Sequence, residues 1–330
     1  MRKLSKLWNI LRKYGLKDTF CYIMEYILIK FRIYDLVYLV KSKFLKTIGS
    51  RKIVKNIKIS VDKRKLYFKM ILDKLDKGLS RELILSSIRE ASFTRFFINN
   101  IHKNDIVLDI GSNKGYFAFI AALIANHVIA VEPVKENFYD LICGVNINDF
   151  RNIDVYKLAI GGENKNIKVV IPRNHYNWAK VSEISSEDCE DVLLEEVEMR
   201  NFESFWENIK SKPTVLRMDV EGFEYQILMS ALRILEKENV RIFMEFHANE
   251  LGPTKSVELL KALHSIGYRK VKAIINFVNE YTLLGRLIER RIRKYGNVSE
   301  LESCEDIPCV IKYILTNANR LFAFHLYLEK

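Results

Sequence analysis

Glycine and proline are scarce in this 330-residue chain, at 13 and 5 residues. Their scarcity excludes collagen-like and low-complexity architectures. Cysteine is present five times, as Cys21, Cys143, Cys189, Cys304 and Cys309. An odd number at irregular spacing argues against a disulfide framework and for a reducing compartment, so a cytoplasmic location is expected. Cys304 and Cys309 lie close together, but no second pair completes a tetrahedral zinc site, and two ordinary thiols are expected there. No apolar run is long enough to span a bilayer. The stretch from Phe20 to Val40 is broken by Glu25, Lys30, Arg32 and Asp35, whereas a spanning helix needs about 20 residues with few charges. No small-residue cleavage site follows a short apolar core, so a secretory signal is not expected. There is no internal repeat.

What is present supports a packed domain. Apolar residues make up 49% and aromatics 12%, enough to bury a full core. The net charge of +12 is unevenly placed: residues 1–75 hold 20 of the 53 basic and 5 of the 41 acidic residues, leaving 33 basic against 36 acidic residues beyond. The expected division is a basic, mainly helical extension over residues 1–78 and a near-neutral catalytic domain over residues 79–330. In residues 1–45, Leu4, Leu7, Trp8 and Leu11 recur at helical spacing among basic residues. Two readings of this segment stay open: a helix making peripheral contact with an anionic membrane, and a helix packed on its own domain with its lysines in water.

Ile53 to Val61 carries a weak alternation, while residues 66–76 and 79–101 look helical. From residue 106 short apolar strands alternate with helices. The clearest strands are Ile106–Ile110, Val128–Val131, Asp154–Ala159, Val215–Met218 and Arg241–Phe246; Tyr116–Ala125 and Glu224–Glu236 read as helices. Arg269–Ile275 and Leu321–Leu328 can add edge strands. This order implies an α/β fold, a mostly parallel sheet with helices on both faces.

Ligands of such sheets sit outside the carboxyl ends of the strands. The first strand ends at Asp109, and a turn from Gly111 to Gly115 follows. Gly111 permits a tight turn and close backbone approach; Gly115 lets the next helix pack closely. Glu132, 21 residues after Gly111, ends the second strand, where a carboxylate can accept from ribose hydroxyls. The spacing is G-x-x-x-G rather than G-x-G-x-x-G, and Asp109 would repel a pyrophosphate. A cationic nucleoside, S-adenosyl-L-methionine, is therefore expected in preference to a dinucleotide. A second strand-to-helix passage, Leu216-Arg217-Met218-Asp219-Val220-Glu221-Gly222-Phe223-Glu224, places three more carboxylates at the same edge. Glu221 and Glu224 can alternatively serve as acidic residues at a helix N-terminus.

Together VLDIGSNKGYF and LRMDVEGFEYQIL resemble the FkbM family of methyltransferases. Asp109, Gly111, Asn113, Gly115 and Tyr116 match the first family motif, and Asp219, Glu221, Gly222 and Glu224 the second. Glu132-Pro133 and Ala159-Ile160-Gly161 support the match, which covers about residues 79–247. Ser112, Lys114 and Arg217 depart from the family's usual alanine, apolar residue and lysine; Lys114 is expected to alter the exposed face of the turn. The resemblance implies a class I, Rossmann-like methyltransferase fold, S-adenosylmethionine as methyl donor, and a hydroxyl of a sugar, glycan or other small molecule as acceptor, lipid-linked acceptors included.

Asp109, Gly111, Ser112, Asn113, Gly115, Tyr116, Glu132, Pro133 and Ala159 are expected at the cofactor. A hydroxyl must lose its proton during transfer, so a base or a metal is useful. Asp219, Glu221 and His247 are the catalytic candidates; His247 reads equally as a histidine bonded to backbone at a strand end. Glu224, Trp178 and Glu245 are expected toward substrate, with Glu245 facing away from His247 if the strand stays regular. His175, Tyr176, Asn177 and Trp178 either line the acceptor pocket or anchor a long loop. No metal ligands are assigned, although Asp219 and Glu221 could hold a divalent cation. A nucleic-acid partner is not expected from the near-neutral domain; an RNA-directed enzyme using the basic segment is the alternative.

Overall fold

The computed structural model describes residues 46–48, 51–76, 78–86, 88–172, 180–181, 192–275 and 298–330. The expected basic helix within residues 1–45, and His175, Tyr176, Asn177 and Trp178, lie outside them.

The described chain begins with strands, not helices: β1 (Lys46–Ile48), β2 (Lys52–Val61) and β3 (Arg64–Asp73) form an antiparallel sheet. This corrects the helical reading of residues 66–76 and of the described part of the extension. Leu66, Phe68 and Met70 are buried while Lys65, Tyr67 and Lys69 are exposed, a period of two that a pleat imposes. Ile57 pairs with Phe68 across the hairpin, and its inner face shares one core with Phe93, Phe97, Phe117 and Phe119. α1 (Leu79–Leu85) and α2 (Ala91–Asn100) follow. They are separate helices: Ser86 is extended at the end of the first, and Glu90, at φ 45°, stands before the second, so the run expected over 79–101 is broken.

The central domain then runs β4 (Ile106–Ile110), α3 (Tyr116–Ala122), β5 (His127–Val131), α4 (Lys135–Asn148) and β6 (Ile153–Tyr156). A second sheet follows, from β7 (Ala159–Gly161), β8 (Lys165–Pro172), β9 (Lys180–Val181) and β10 (Val192–Asn201). The strand expected over Asp154–Ala159 is thus divided: Ala159 leaves the main sheet and pairs with Met199. After α5 (Phe202–Asn208) come β11 (Val215–Met218), α6 (Glu224–Lys237), β12 (Arg241–His247), α7 (Ala248–Ser265) and β13 (Lys270–Ile274). α8 (Val298–Glu302), α9 (Ile307–Thr316) and β14 (Ala323–Glu329) complete it.

The main sheet has the order β13-β14-β12-β11-β4-β5-β6. Only β14 runs against its neighbours. Chain direction across the sheet reverses between β4 and β11, the switch point where a crevice opens at the strand ends. This is the mostly parallel α/β sheet that the strand-and-helix alternation implied, in the class I methyltransferase form that the resemblance implied. Consecutive residues feed opposite layers: Val107, Val128, Val215 and Phe243 join the hairpin-side core, while Leu108, Ile129, Leu216 and Ile242 join the core under α6 and α7. Strands buried on both faces are apolar without alternation, as VIAV in β5 and IFM in β12 are.

Cys304 and Cys309 are joined as a disulfide, their Cα atoms 5.4 Å apart. This corrects the expectation of two thiols and removes one support for a reducing compartment. Among the described residues no helix is long and apolar enough to cross a membrane.

Candidate functional site

The site begins where β4 meets the glycine turn. Gly111 has φ +76°, and a Cβ there would stand 2.0 Å from the carbonyl oxygen of Asp219. Only glycine allows the turn to press against the end of β11. The amides of Gly111 and Ser112 donate to Val131 O at 2.9 and 3.0 Å, fastening the turn to β5. Asn113, at φ 52°, donates its amide to Glu132 Oε2 at 2.7 Å. Glu132 Oε1 accepts from the Val134 amide at 3.0 Å and from Asn137 Nδ2 at 3.3 Å. Burial pushes the Glu132 carboxyl up to about 7, against the pull of those amides.

Gly111, Asn113, Glu132, Pro133 and Ala159 line one cavity with Asp219 and Glu221, and Ile110, Val131, Leu158, Ile160 and Phe223 supply apolar walls. The remaining residues expected at the cofactor lie behind this cavity. Asp109 is 1% exposed and receives Arg217 Nη1 at 3.1 Å. Its charge is therefore offset within the protein rather than presented to a ligand, so Asp109 does not select a cationic cofactor by direct attraction as expected. Burial nonetheless pushes the Asp109 carboxyl up from its usual range, with Arg217 opposing. Ser112 is buried and its hydroxyl donates to Asp109 O at 2.8 Å. A Cβ on Gly115 would strike Leu141 and Phe119 side chains at 2.6–2.8 Å, so this glycine serves helix packing. The Tyr116 hydroxyl accepts from the Arg89 amide at 3.0 Å. Lys114 is fully buried with Nζ 2.7 Å from Asp140 Oδ2, contrary to the exposed position expected.

At the other side of the cavity, Arg217 reaches from β11 with Nη2 3.1 Å from Asp219 Oδ2. One guanidinium thus joins the ends of β4 and β11, a geometry suited to its planar fork. The chain then turns through Glu221 (φ 51°) and Gly222 (φ 98°). A left-handed Glu221 costs conformational energy, of a kind concentrated at functional sites. A Cβ at Gly222 would lie 2.8 Å from Glu250 Cβ, so that position also requires glycine.

His247 closes the edge from the end of β12. Its Nδ1 is 2.6 Å from Glu224 Oε1, and its Nε2 is 3.5 Å from Glu221 Oε2 and 4.0 Å from Glu245 Oε1. Burial opposes its charge, but the hydrogen bond and charge of Glu224 prevail, with Glu245 and Asp219 adding to them, and lift the imidazole to about 10. Glu224 is fully buried beneath the imidazole, so it supports His247 and does not reach an acceptor as expected. Glu245 does not face away from His247, because residues two apart on a strand share a face. Burial, with Asp219 and Glu90 facing it, pushes the Glu245 carboxyl well above its ordinary range.

Three residues here had no motif to mark them. The break between α1 and α2 delivers Arg89 and Glu90, whose side chains meet at 2.5 Å. Burial opposes the Arg89 charge, yet Glu90, Glu82, Asp219 and Glu245 hold it well above the ordinary value. His325 stands opposite Glu245 in the β12–β14 register, stacks on Phe93 at 3.8 Å between ring centroids, and lies 3.1 Å from Glu90 Oε2. Only the interruption of the 79–101 helical pattern, and a histidine in a short apolar strand, could have signalled them.

Residues 109–270 match the sequence description of the methyltransferase FkbM domain. Among solved structures, methyltransferase FkbM from Methylobacillus flagellatus KT aligns with 16% identity and a TM-score of 0.40, over 58% of this chain and 48% of that protein. The chain thus spans about half the length of that protein. Precorrin-6y C5,15-methyltransferase from Geobacter metallireducens GS-15 aligns with 12% identity and a TM-score of 0.38, over 73% of this chain and 88% of its own. An rRNA methylase from Streptococcus thermophilus aligns with 9% identity and a TM-score of 0.37, over 74% of this chain and 97% of its own. No curated protein matches the chain.

Proposed function

We propose that this chain, which belongs to the FkbM family of methyltransferases through residues 109–270, places a methyl group on a hydroxyl oxygen of a sugar, glycan or other small molecule. It is an S-adenosylmethionine-dependent enzyme by family. When bound, that cofactor supplies an electrophilic methyl on a sulfonium sulfur. The residues present fit it: Glu132 offers a buried carboxylate to ribose hydroxyls, Asn113 lies beside it, and the apolar walls accept an adenine ring.

The observation that carries the hydroxyl reading is that Asp219 and Glu221 line the same cavity as Glu132, with His247 behind them. Proton acceptors therefore stand at the edge of the donor site. Bound there, the sulfonium would supply the methyl group to the acceptor oxygen and leave as a neutral thioether, its sulfur keeping the bonding pair. The hydroxyl proton passes to the carboxylate cluster. Holding oxygen and methyl in line is the enzyme's larger contribution; Asp219 and Glu221 orient the hydroxyl by accepting its hydrogen bond. His247 is near carboxylates that keep it charged, so it acts as a donor to acceptor oxygens or to Glu221 rather than as the first proton acceptor.

The test is methyl transfer from tritiated S-adenosylmethionine into glycan and lipid extracts, with chemical analysis of the product. Label recovered as an O-methyl ether supports the reading. Label recovered only in nitrogen-methylated products, or in RNA, overturns it. The RNA-directed reading draws on a different observation: Tyr67, which is 58% exposed, pairs with Lys58 across the hairpin and has the exposed Lys65 and Lys69 two residues to either side. Lysines with an exposed aromatic can hold single-stranded nucleic acid, and the same labelling experiment on an RNA extract decides between the two.

A further inference from the structure

The described residues contain two groups in which a histidine and two carboxylates bring one ligand atom each within 4.8 Å of one another: Asp219, Glu245 and His247, and Glu90, Glu245 and His325. In the second, Glu90 and His325 already engage each other at 3.1 Å, and Glu90 also engages Arg89. The first group adjoins the donor cavity, because Asp219 lines that cavity.

We propose that Asp219, Glu245 and His247 form a divalent-cation site, of Mn²⁺ type, which holds the acceptor hydroxyl beside the transferable methyl. The proposal rests on the hydroxyl reading above. Two carboxylate oxygens and one imidazole nitrogen suit a cation of intermediate hardness. Three protein ligands leave coordination positions for the oxygens of water and acceptor.

A feature outside the group points the same way. Glu224, fully buried, holds Nδ1 of His247 at 2.6 Å. The ring is thereby turned so that Nε2 faces Glu221 and Glu245. A buried carboxylate behind an imidazole is the usual outer support of a ligating histidine, fixing its tautomer and orientation. Arg217 takes Oδ2 of Asp219, which orients that carboxylate and leaves its second oxygen for a cation. The three ligands also ride on rigid elements. Glu245 and His247 are in β12, and Asp219 follows the Met218–Met244 pair that ends the β11–β12 ladder. Bound there, a cation would take the place of the proton on His247 Nε2 and stabilise negative charge developing on the acceptor oxygen.

The test is Mn²⁺ binding to the full-length protein, read by electron paramagnetic resonance and equilibrium dialysis. One saturable site per chain is expected. Asp219→Asn, Glu245→Gln and His247→Asn should each weaken it about 10- to 100-fold, and Glu203→Gln, remote from the site, should not. Circular dichroism and the thermal unfolding midpoint, measured in each variant, identify those that remain folded. Absence of a saturable site in the unaltered protein, or equal Mn²⁺ affinity in all folded variants, overturns the proposal. The two readings fail separately. O-methylation that persists under chelation removes the cation site and leaves the hydroxyl reading; a saturable Mn²⁺ site without O-methylated product does the reverse.

Discussion

The imidazole of His247 and the carboxylate of Glu224 lie 2.6 Å apart at a point where Glu224 has no contact with solvent. With no cation bound beside it, this pair favours the charged form of a strand-end histidine. The folded-state value of about 10 stands above the ordinary 6.5. Stability from this contact is therefore fully present below pH 6.5 and is lost as pH rises through about 10. Urea unfolding between those limits should show stability falling by about 1.4 kcal/mol for each step of one in pH. Glu224→Gln should flatten that decline and lower stability near neutrality. A profile equally steep in both proteins would contradict the assignment.

Glu132 couples to pH in a second way. Its carboxyl is raised to about 7 from 4.5. The stability contributed by its burial is present below 4.5 and lost as pH rises through about 7. In the role proposed for Glu132, the ionised carboxylate is the stronger acceptor of ribose hydroxyls, so cofactor affinity should run the other way and tighten as pH rises through about 7. On the acid side, calorimetry with S-adenosylhomocysteine should show affinity weakening by up to about tenfold for each step of one in pH. Glu132→Gln should bind at least about tenfold more weakly and lose most of this pH dependence. Undiminished affinity in that variant would remove Glu132 from the cofactor site.

The sheet and the two motif turns are legible in the sequence because both rest on local signals. Buried strands such as Val128–Val131 are short and uniformly apolar, and Gly111 and Gly222 mark turns where side chains do not fit. The hairpin is not legible over residues 66–76, because LYFKMILDKLD offers apolar residues at both two- and four-residue spacing. Only pairing with Lys52–Val61 decides between them. The site is half legible. Motif spacing places Asp219, Glu221 and Glu132 at the cavity, but it cannot show that Arg217 neutralises Asp109 or that Glu224 lies beneath His247. Those are contacts across elements distant in sequence, and no local period encodes them.

Arg217 should be replaceable only at a cost set by its fork. Its Nη1 and Nη2 reach Asp109 and Asp219 separately, at 3.1 Å each, and the ring of Phe117 lies 4.5 Å from its guanidinium carbon. Arg217→Met leaves Asp109 buried without its cation and should cost about 3–5 kcal/mol. Arg217→Lys keeps the charge but not the two-pronged geometry or the stacking, and should cost less, about 1–2 kcal/mol. Urea midpoints at constant pH measure both. Equal losses would show that charge alone, and not the fork, holds the two strand ends.

Two glycines with similar φ should lose function in different ways when given a methyl group. Gly111 has φ +76° and Gly252 has φ +70°, but a Cβ at Gly111 meets Asp219 O at 2.0 Å while one at Gly252 meets nothing within 4 Å. Gly252→Ala meets no steric contact, and its cost is set by the backbone alone, whose φ 70° and ψ 170° lie in a region nearly restricted to glycine, about 1–3 kcal/mol. Gly111→Ala adds a collision with backbone that cannot be relieved by turning a side chain, and overpacking of that kind adds about 1–3 kcal/mol. It should also part the glycine turn from the end of β11, so S-adenosylhomocysteine binding should fall even where the variant is folded. Comparable stability and binding in the two variants would mean that the contact between Gly111 and Asp219 does not shape the donor site.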